Sequence, residues 1–180
     1  VSLKATICKV QIDVANIDTS YYQQHQLTLA QHPSETDERL MLRILAFALH
    51  AHPQLTFGKD IGDTGEPALW QKDPTGEIAL WIELGAPDER TLRKACGRAK
   101  QVALIMYGRR ISADQWWEKN ANDLKSKTNL SISYIDQPST QALAALLDRN
   151  MKLNCTIQEG LITMGDEKNT VTLEAFYFQK

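Results

Sequence analysis

The sequence predicts an α/β fold, a mixed central sheet flanked by helices, with an N-terminal hairpin and a C-terminal β-meander at its edges. Three observations carry this. Segments whose apolar residues recur every second position alternate with segments of helical period. The run VALIMY at 102–107 is apolar on both faces, as a central parallel strand is. A capped helix separates that run from the preceding strand, so a right-handed strand, helix, strand crossover follows. With 180 residues, 43% of them hydrophobic, and no internal repeat or long linker, the pattern fits a single domain over 1–180.

In the opening hairpin Thr6, Cys8, Val10 and Ile12 alternate with Lys9, Gln11 and Asp13, and YYQQHQLTLA alternates again after a polar turn at 15–20. Ser34 is the expected N-cap of a helix reaching residue 52, with Glu35, Asp37 and Glu38 in its first turn and Pro53 as its stop. Three short strands follow, at about 54–58, 66–71 and 77–84. The last has Ile78, Leu80, Ile82 and Leu84 on one face and Glu77, Ala79, Trp81 and Glu83 on the other. Asp88 caps a helix to about Arg98, and the VALIMY strand comes next. Ser112 with Gln115 reads as a capping box for the helix carrying Trp116 and Trp117. NLSISYID is a strand, 138–150 a helix, and the remainder a meander with turns near Glu159 and at 165–169.

Composition excludes several classes. The longest apolar runs, 44–49 and 102–107, fall far below the roughly 20 residues of a membrane span. Cys8, Cys96 and Cys155 are odd in number and show no metal-ligand spacing, which predicts reduced thiols. The start VSLKATICKV has no apolar core of signal-peptide length, so the expected location is cytoplasmic. No phosphate-cradling glycine loop, dinucleotide turn or serine-hydrolase elbow occurs, and no organic cofactor is expected. Four histidines fall between 25 and 52 without zinc-site spacing, and the four tryptophans read as core residues before base-stacking ones.

Charge is distributed unevenly. Residues 90–110 hold seven Lys and Arg and no acid, a +7 window in a chain of net −2, so the rest carries −9. Arg90, Arg93 and Arg98 in this window are the candidates for contacting nucleic acid, or else an acidic protein partner. Among the acids, Glu83 stands in an apolar strand, where a carboxylate is costly unless it is at an edge, paired or holding a metal. One reading is a salt bridge to Arg90, Arg93 or Lys94. The other is a divalent-ion site, magnesium or manganese, that gathers carboxylates from helix, hairpin and strand, with Lys94 orienting the attacking water. Glu38 flanks the apolar stripe of the first helix. Glu35 aligns with Arg39 and Arg43 as an expected solvent-facing ion ladder.

The runs HPSETDERLMLRILA, GEPALW and LWIELGAPDERTLRKA, together with the opening strand at Leu3 to Lys9, resemble the YaeQ family of small bacterial proteins along almost the whole chain. That resemblance implies a restriction-endonuclease-like fold and a variant of the PD-(D/E)XK metal-nuclease site, and no established activity. Carried over, the helix acid would be Glu38 or Glu35, the hairpin acid Glu66 or Asp63, and the strand acid Glu83. The motif lysine, two residues after the strand acid, is replaced here by Gly85, which leaves Lys94 as the substitute.

Overall fold

The computed structural model describes residues 4–59 and 65–180. They form two compact units, one of residues 4–51 with Pro138–Glu174, the other of the described residues in 52–137 with Ala175–Lys180.

The first unit holds a five-stranded mixed sheet. Strands β1 (Thr6–Asn16) and β2 (Tyr21–Gln31) pair antiparallel around a turn whose Ser20 takes a positive φ of 58°. β1 also pairs in parallel with β8 (Asn150–Gln158), from Lys9↔Asn150 to Asn16↔Ile157, and β9 (Leu161–Gly165) and β10 (Thr170–Glu174) continue the meander in the order β10-β9-β8-β1-β2. Alternation sends Cys8, Val10, Ile12 and Val14 inward with Met151, Leu153, Cys155 and Ile157, while the other face stays polar. This corrects the expectation of one central sheet, because hairpin and meander pair with each other and make a sheet of their own. Period-two patterning fixes which face of a strand is buried and is silent about its neighbour.

Helix α1 (Asp37–Leu49) belongs to this unit and touches β1. It starts two residues later than expected. Ser34 is bound to His32 Nδ1 at 2.6 Å, and Thr36 is the N-cap, its Oγ1 accepting from Arg39 N at 3.2 Å. Every residue from Leu40 to Ala48 is buried, Arg43 among them. Helix α4 (Gln137–Ala144) ends well before residue 150, where β8 begins its pairing with β1.

The second unit holds a six-stranded mixed sheet in the order β11-β7-β6-β5-β4-β3. β3 (Leu55–Phe57), β4 (Leu69–Lys72) and β5 (Ile78–Leu84) are antiparallel neighbours, and β5, β6 (Ala99–Met106) and β7 (Leu130–Tyr134) run parallel. Helices α2 (Glu89–Arg98) and α3 (Arg110–Leu124) make the two crossovers and pack together on one face, over Trp81, Val102, Leu104, Met106, Leu130 and Ile132. Asp88 caps α2 as the sequence predicts, accepting from Arg90 N at 2.9 Å. The Ser112 capping box does not form. Gly108, at φ +91°, turns the chain so that α3 starts at Arg110 with no side-chain cap. β11 (Phe176–Gln179) closes the sheet antiparallel to β7. Among the described residues there are four helices, and none is long and apolar enough to cross a membrane.

Candidate functional site

Glu83 lies near the carboxyl end of β5, flanked by β4 on one side and β6 on the other, with Leu104 as its β6 partner. Strand alternation puts it on the face of Trp81, the face covered by α2 and α3. The indole Nε1 of Trp81 donates to Glu83 Oε1 at 2.9 Å. Trp81 is itself held edge-on by Trp70 at 5.8 Å, and the Arg98 guanidinium sits 5.1 Å from its ring centre. A carboxylate in an apolar strand is thus tolerated by half-burial and by an aromatic donor from its own strand.

Glu66 precedes β4, and its Oε2 accepts from Lys59 N at 2.6 Å. The antiparallel register runs Trp70↔Trp81 and Leu69↔Ile82, so one further step sets Ala68 opposite Glu83, with Glu66 two residues beyond. The two acids therefore come to the same end of the β4–β5 pair. Asp63 lies outside the described residues.

Lys94 is exposed on α2, five residues after the helix begins. Of the cations considered as partners for Glu83, Arg93 engages Glu89 one helical turn away. Arg90, Lys94 and Arg98 form no ion pair among the described residues, nor does Arg109. Lys100 reaches Asp73 and Glu77, and Arg110 binds Asp114. The +7 window is therefore only partly neutralised, and all seven of its cations are exposed.

Gly85 has φ +97°, and its N–H bonds Ile105 O at 2.9 Å. An ideal Cβ there would meet only Tyr107 Cε1 at 3.9 Å, so the backbone conformation and not crowding is what favours glycine. A lysine two residues after the strand acid would have to adopt a left-handed conformation costing about 1–2 kcal/mol.

Glu35 and Glu38 belong to the first unit. The solvent-facing ladder expected of Glu35 is instead a buried cluster. Glu35 is 6% exposed, and its Oε2 accepts from Arg39 Nη1 at 2.6 Å and Arg43 Nε at 3.0 Å. Its Oε1 accepts from Arg43 Nη2 at 2.6 Å, and that Nη2 also donates to Ala30 O at 2.9 Å. Arg43, within the buried run Leu40–Ala48 of α1, requires this anion. Glu38 is half-buried in the first turn of α1 and forms no ion pair among the described residues.

Among the described residues no three His, Cys, Asp or Glu side chains gather closely enough to hold a metal ion. The histidines serve other ends. His25 contacts Tyr21 OH at 2.6 Å and stands edge-on to Phe47, and His52 Nδ1 accepts from Gln54 N. The three cysteines are free, and burial pushes the Cys155 thiol up to about 12. A concavity of about 750 Å³ that no motif marks lies on the polar face of the first unit, where Lys9, Gln11, Gln26, Lys152 and Asp148 meet. Its one sequence signal is the strand alternation that turns Lys9, Gln11, Gln26 and Lys152 outward.

Two mixed sheets, four helices and a strand carboxylate beside a basic helix define an α/β protein with a polar edge at the carboxyl end of its parallel strands. The model of the YaeQ protein family matches residues 1–175, and the chain belongs to that family. It is similar to the uncharacterized protein YaeQ of Escherichia coli K12, 41% identical over 179 residues covering 99% of this chain and 98% of that one, and to that of Salmonella typhi at 40% over the same span. Among solved structures it resembles YaeQ from Xanthomonas axonopodis pv. citri, with a TM-score of 0.94 and 44% identity covering 97% of this chain and 98% of that one. YaeQ from Pseudomonas syringae aligns with a TM-score of 0.91 and 30% identity, covering 98% and 97%.

Proposed function

We propose that this protein is a metal-dependent phosphodiesterase acting on nucleic acid in the cytoplasm, a restriction-endonuclease-like fold with a variant PD-(D/E)XK site. The observation that carries the reading is Glu83, a half-buried carboxylate on an otherwise apolar central strand, with Glu66 at the same end of the neighbouring strand. Magnesium or manganese keeps several of its waters and is held by one or two carboxylates together with substrate phosphate, so these two acids suffice as a protein ligand set. Such an ion, when bound, polarises a phosphoryl oxygen and makes a water nucleophilic. The chain's own contributions follow from residue chemistry. Trp81 fixes one oxygen of Glu83 and so orients its carboxylate, and the Lys94 ammonium supplies positive charge to a phosphate without the strain that Gly85 would impose on a lysine.

The test is incubation of the full chain with single-stranded, double-stranded and structured DNA and RNA, in magnesium or manganese, beside Glu83→Gln. Cleavage that needs metal and disappears in the variant is the expected result, and Glu38→Ala measured alongside reports whether the helix acid takes part. Metal should also raise the Tm of the wild type and leave that of Glu83→Gln unmoved. A wild type whose Tm responds to metal yet cleaves no substrate overturns the catalytic reading.

A second reading rests on a different observation, the exposed cations Arg90, Lys94 and Arg98 on α2 that form no ion pair among the described residues. It makes the protein a non-catalytic nucleic-acid or acidic-protein binding module. Binding would then weaken steeply with salt, survive Glu83→Gln, and fall in Arg90→Ala and Arg98→Ala, with less effect from Arg93→Ala because Glu89 already holds that guanidinium.

A further inference from the structure

Ligands of parallel α/β sheets gather beyond the carboxyl ends of the strands, where the connecting loops leave side chains open to them. In the second unit that edge carries more than Glu83. Met106, Tyr134 and Phe176 are register partners across β6, β7 and β11, while Glu83 shares the Leu104 row. Phe176 therefore stands two residues further toward the carboxyl edge than Glu83 and three strands across, a backbone separation of about 16 Å from strand spacing and rise. The loop after β6, with Gly108 and the exposed Arg109, emerges at the same edge between them.

Phe176 keeps 45% of its surface exposed, with Ile111 at 54% and Tyr177 at 47% close in the fold or chain. Its ring is not covered by apolar neighbours alone. The Arg110 guanidinium lies 4.0 Å from its centre, within 5.4 Å of both Tyr134 and Phe178, and is held by a 2.8 Å bond from Nε to Asp114. Phe178 braces the ring edge-on at 5.0 Å. Tyr177 also carries a cation, Lys180 Nζ at 4.9 Å. A planar guanidinium laid on a half-exposed ring, its position fixed and its charge balanced by a carboxylate, presents a rigid π-surface, and the neighbouring Arg109, which forms no ion pair among the described residues, adds positive charge. An apolar protein segment would leave that guanidinium desolvated, whereas a nucleobase with its phosphate satisfies ring and charge together.

We infer that Arg110 and Phe176 form a stacking platform for an unpaired base, so that the protein takes nucleic acid as a single strand extending from this platform past Arg109 toward Glu83. The inference rests on the nucleic-acid reading above for the polymer, and adds to it the strandedness and the place of entry. A base in a duplex offers its edges and hides its faces in the stack, so a platform of this kind selects unpaired bases.

The experiment is fluorescence anisotropy of the full chain with a labelled 12-nucleotide DNA or RNA of mixed sequence, single-stranded or annealed to its complement, in EDTA so that nothing is cleaved. Single strand should bind at least tenfold more tightly than duplex. Phe176→Ala and Arg110→Ala should each weaken single-strand binding about tenfold and duplex binding little. Phe176→Leu, which retains apolar bulk without a π-face, should lose affinity like Phe176→Ala, and Phe176→Trp should keep it, which separates stacking from a folding defect. Equal affinity for duplex, or Phe176→Leu binding as wild type does, overturns the inference. So does a wild type that sediments as a dimer and becomes monomeric in Phe176→Ala, since the surface would then join two copies of the chain. Failure of the catalytic reading is seen elsewhere, in the metal-dependent cleavage assays with Glu83→Gln.

Discussion

Substituting Glu35 with glutamine removes an anion that three arginine N–H groups point to, at 2.6, 2.6 and 3.0 Å. Glutamine keeps the shape but offers an NH₂ where the guanidinium groups also present donors, so one side of the cluster becomes donor against donor. Arg43, 8% exposed in the middle of a buried helix, would retain Ala30 O as an acceptor and lose the charge of Glu35. Breaking a buried pair in this way costs about 3–5 kcal/mol. For a chain of this size each kcal/mol moves Tm by roughly 2–4 °C, so the expected fall is on the order of 10 °C. Thermal melts by far-UV circular dichroism, with urea midpoints as a second measure, read it directly. Glu35→Leu combined with Arg43→Met should recover most of the loss, because replacing both partners by apolar groups is close to neutral. A Glu35→Gln protein within about 1 kcal/mol of wild type, or a double variant less stable than the single, would refute the claim that this cluster is a buried structural pair.

The remaining predictions concern other parts of the molecule. Burial holds the His50 imidazole down at about 4, below its ordinary 6.5, so its neutral form belongs to the folded state. The stability it contributes is complete above pH 6.5 and is lost as pH falls toward 4, by at most about 3 kcal/mol, and His50→Gln should flatten that part of the acid titration. Iodoacetamide labelling of native protein at pH 8, read by mass spectrometry, should modify half-buried Cys96 first and reach Cys8 and Cys155 only on unfolding, since burial raises all three thiols and closes off those two. Asp88→Ala should cost about 1 kcal/mol in urea unfolding through loss of the α2 cap, and Asp88→Asn should restore most of it.

The sequence revealed elements better than partners. The β5 strand, its Glu83 and the Asp88 cap were legible because alternation, an out-of-place carboxylate and a capping residue are local signals. That hairpin and meander pair through β1 and β8 was not legible, since residues 141 positions apart leave no periodic trace of their contact. The buried Glu35–Arg43 pair was read as solvent-facing for a similar reason. The spacing of eight residues suits a ladder along an exposed helix, and only the burial of α1 on all sides turns it into an interior cluster. The Ser34 and Ser112 caps were displaced by a neighbouring histidine and by a left-handed glycine, both of which compete locally in ways that a capping pattern does not encode. At the candidate site, Glu66 and Glu83 were found from chemistry and resemblance, whereas the Arg110–Phe176 pair, 66 positions apart, needed the β7–β11 register to bring it together.

The parallel ladder of β1 with β8 bears on how the chain emerges during synthesis. The Asp18 carboxylate, which receives the backbone N–H groups of Glu159 and Gly160 at 2.7 and 3.0 Å, waits for partners made 141 and 142 residues later. At ordinary translation rates that interval is on the order of 10 s, far longer than a hairpin needs to close. Throughout it β1 lacks β8 along one edge, and once residue 134 has been made the strands β3 to β7 are complete in sequence and lack only β11. Nascent chains of this protein therefore pass through a state in which the middle of the polypeptide can order itself and its beginning cannot, and the exposed hairpin is where a ribosome-associated chaperone would find its binding surface.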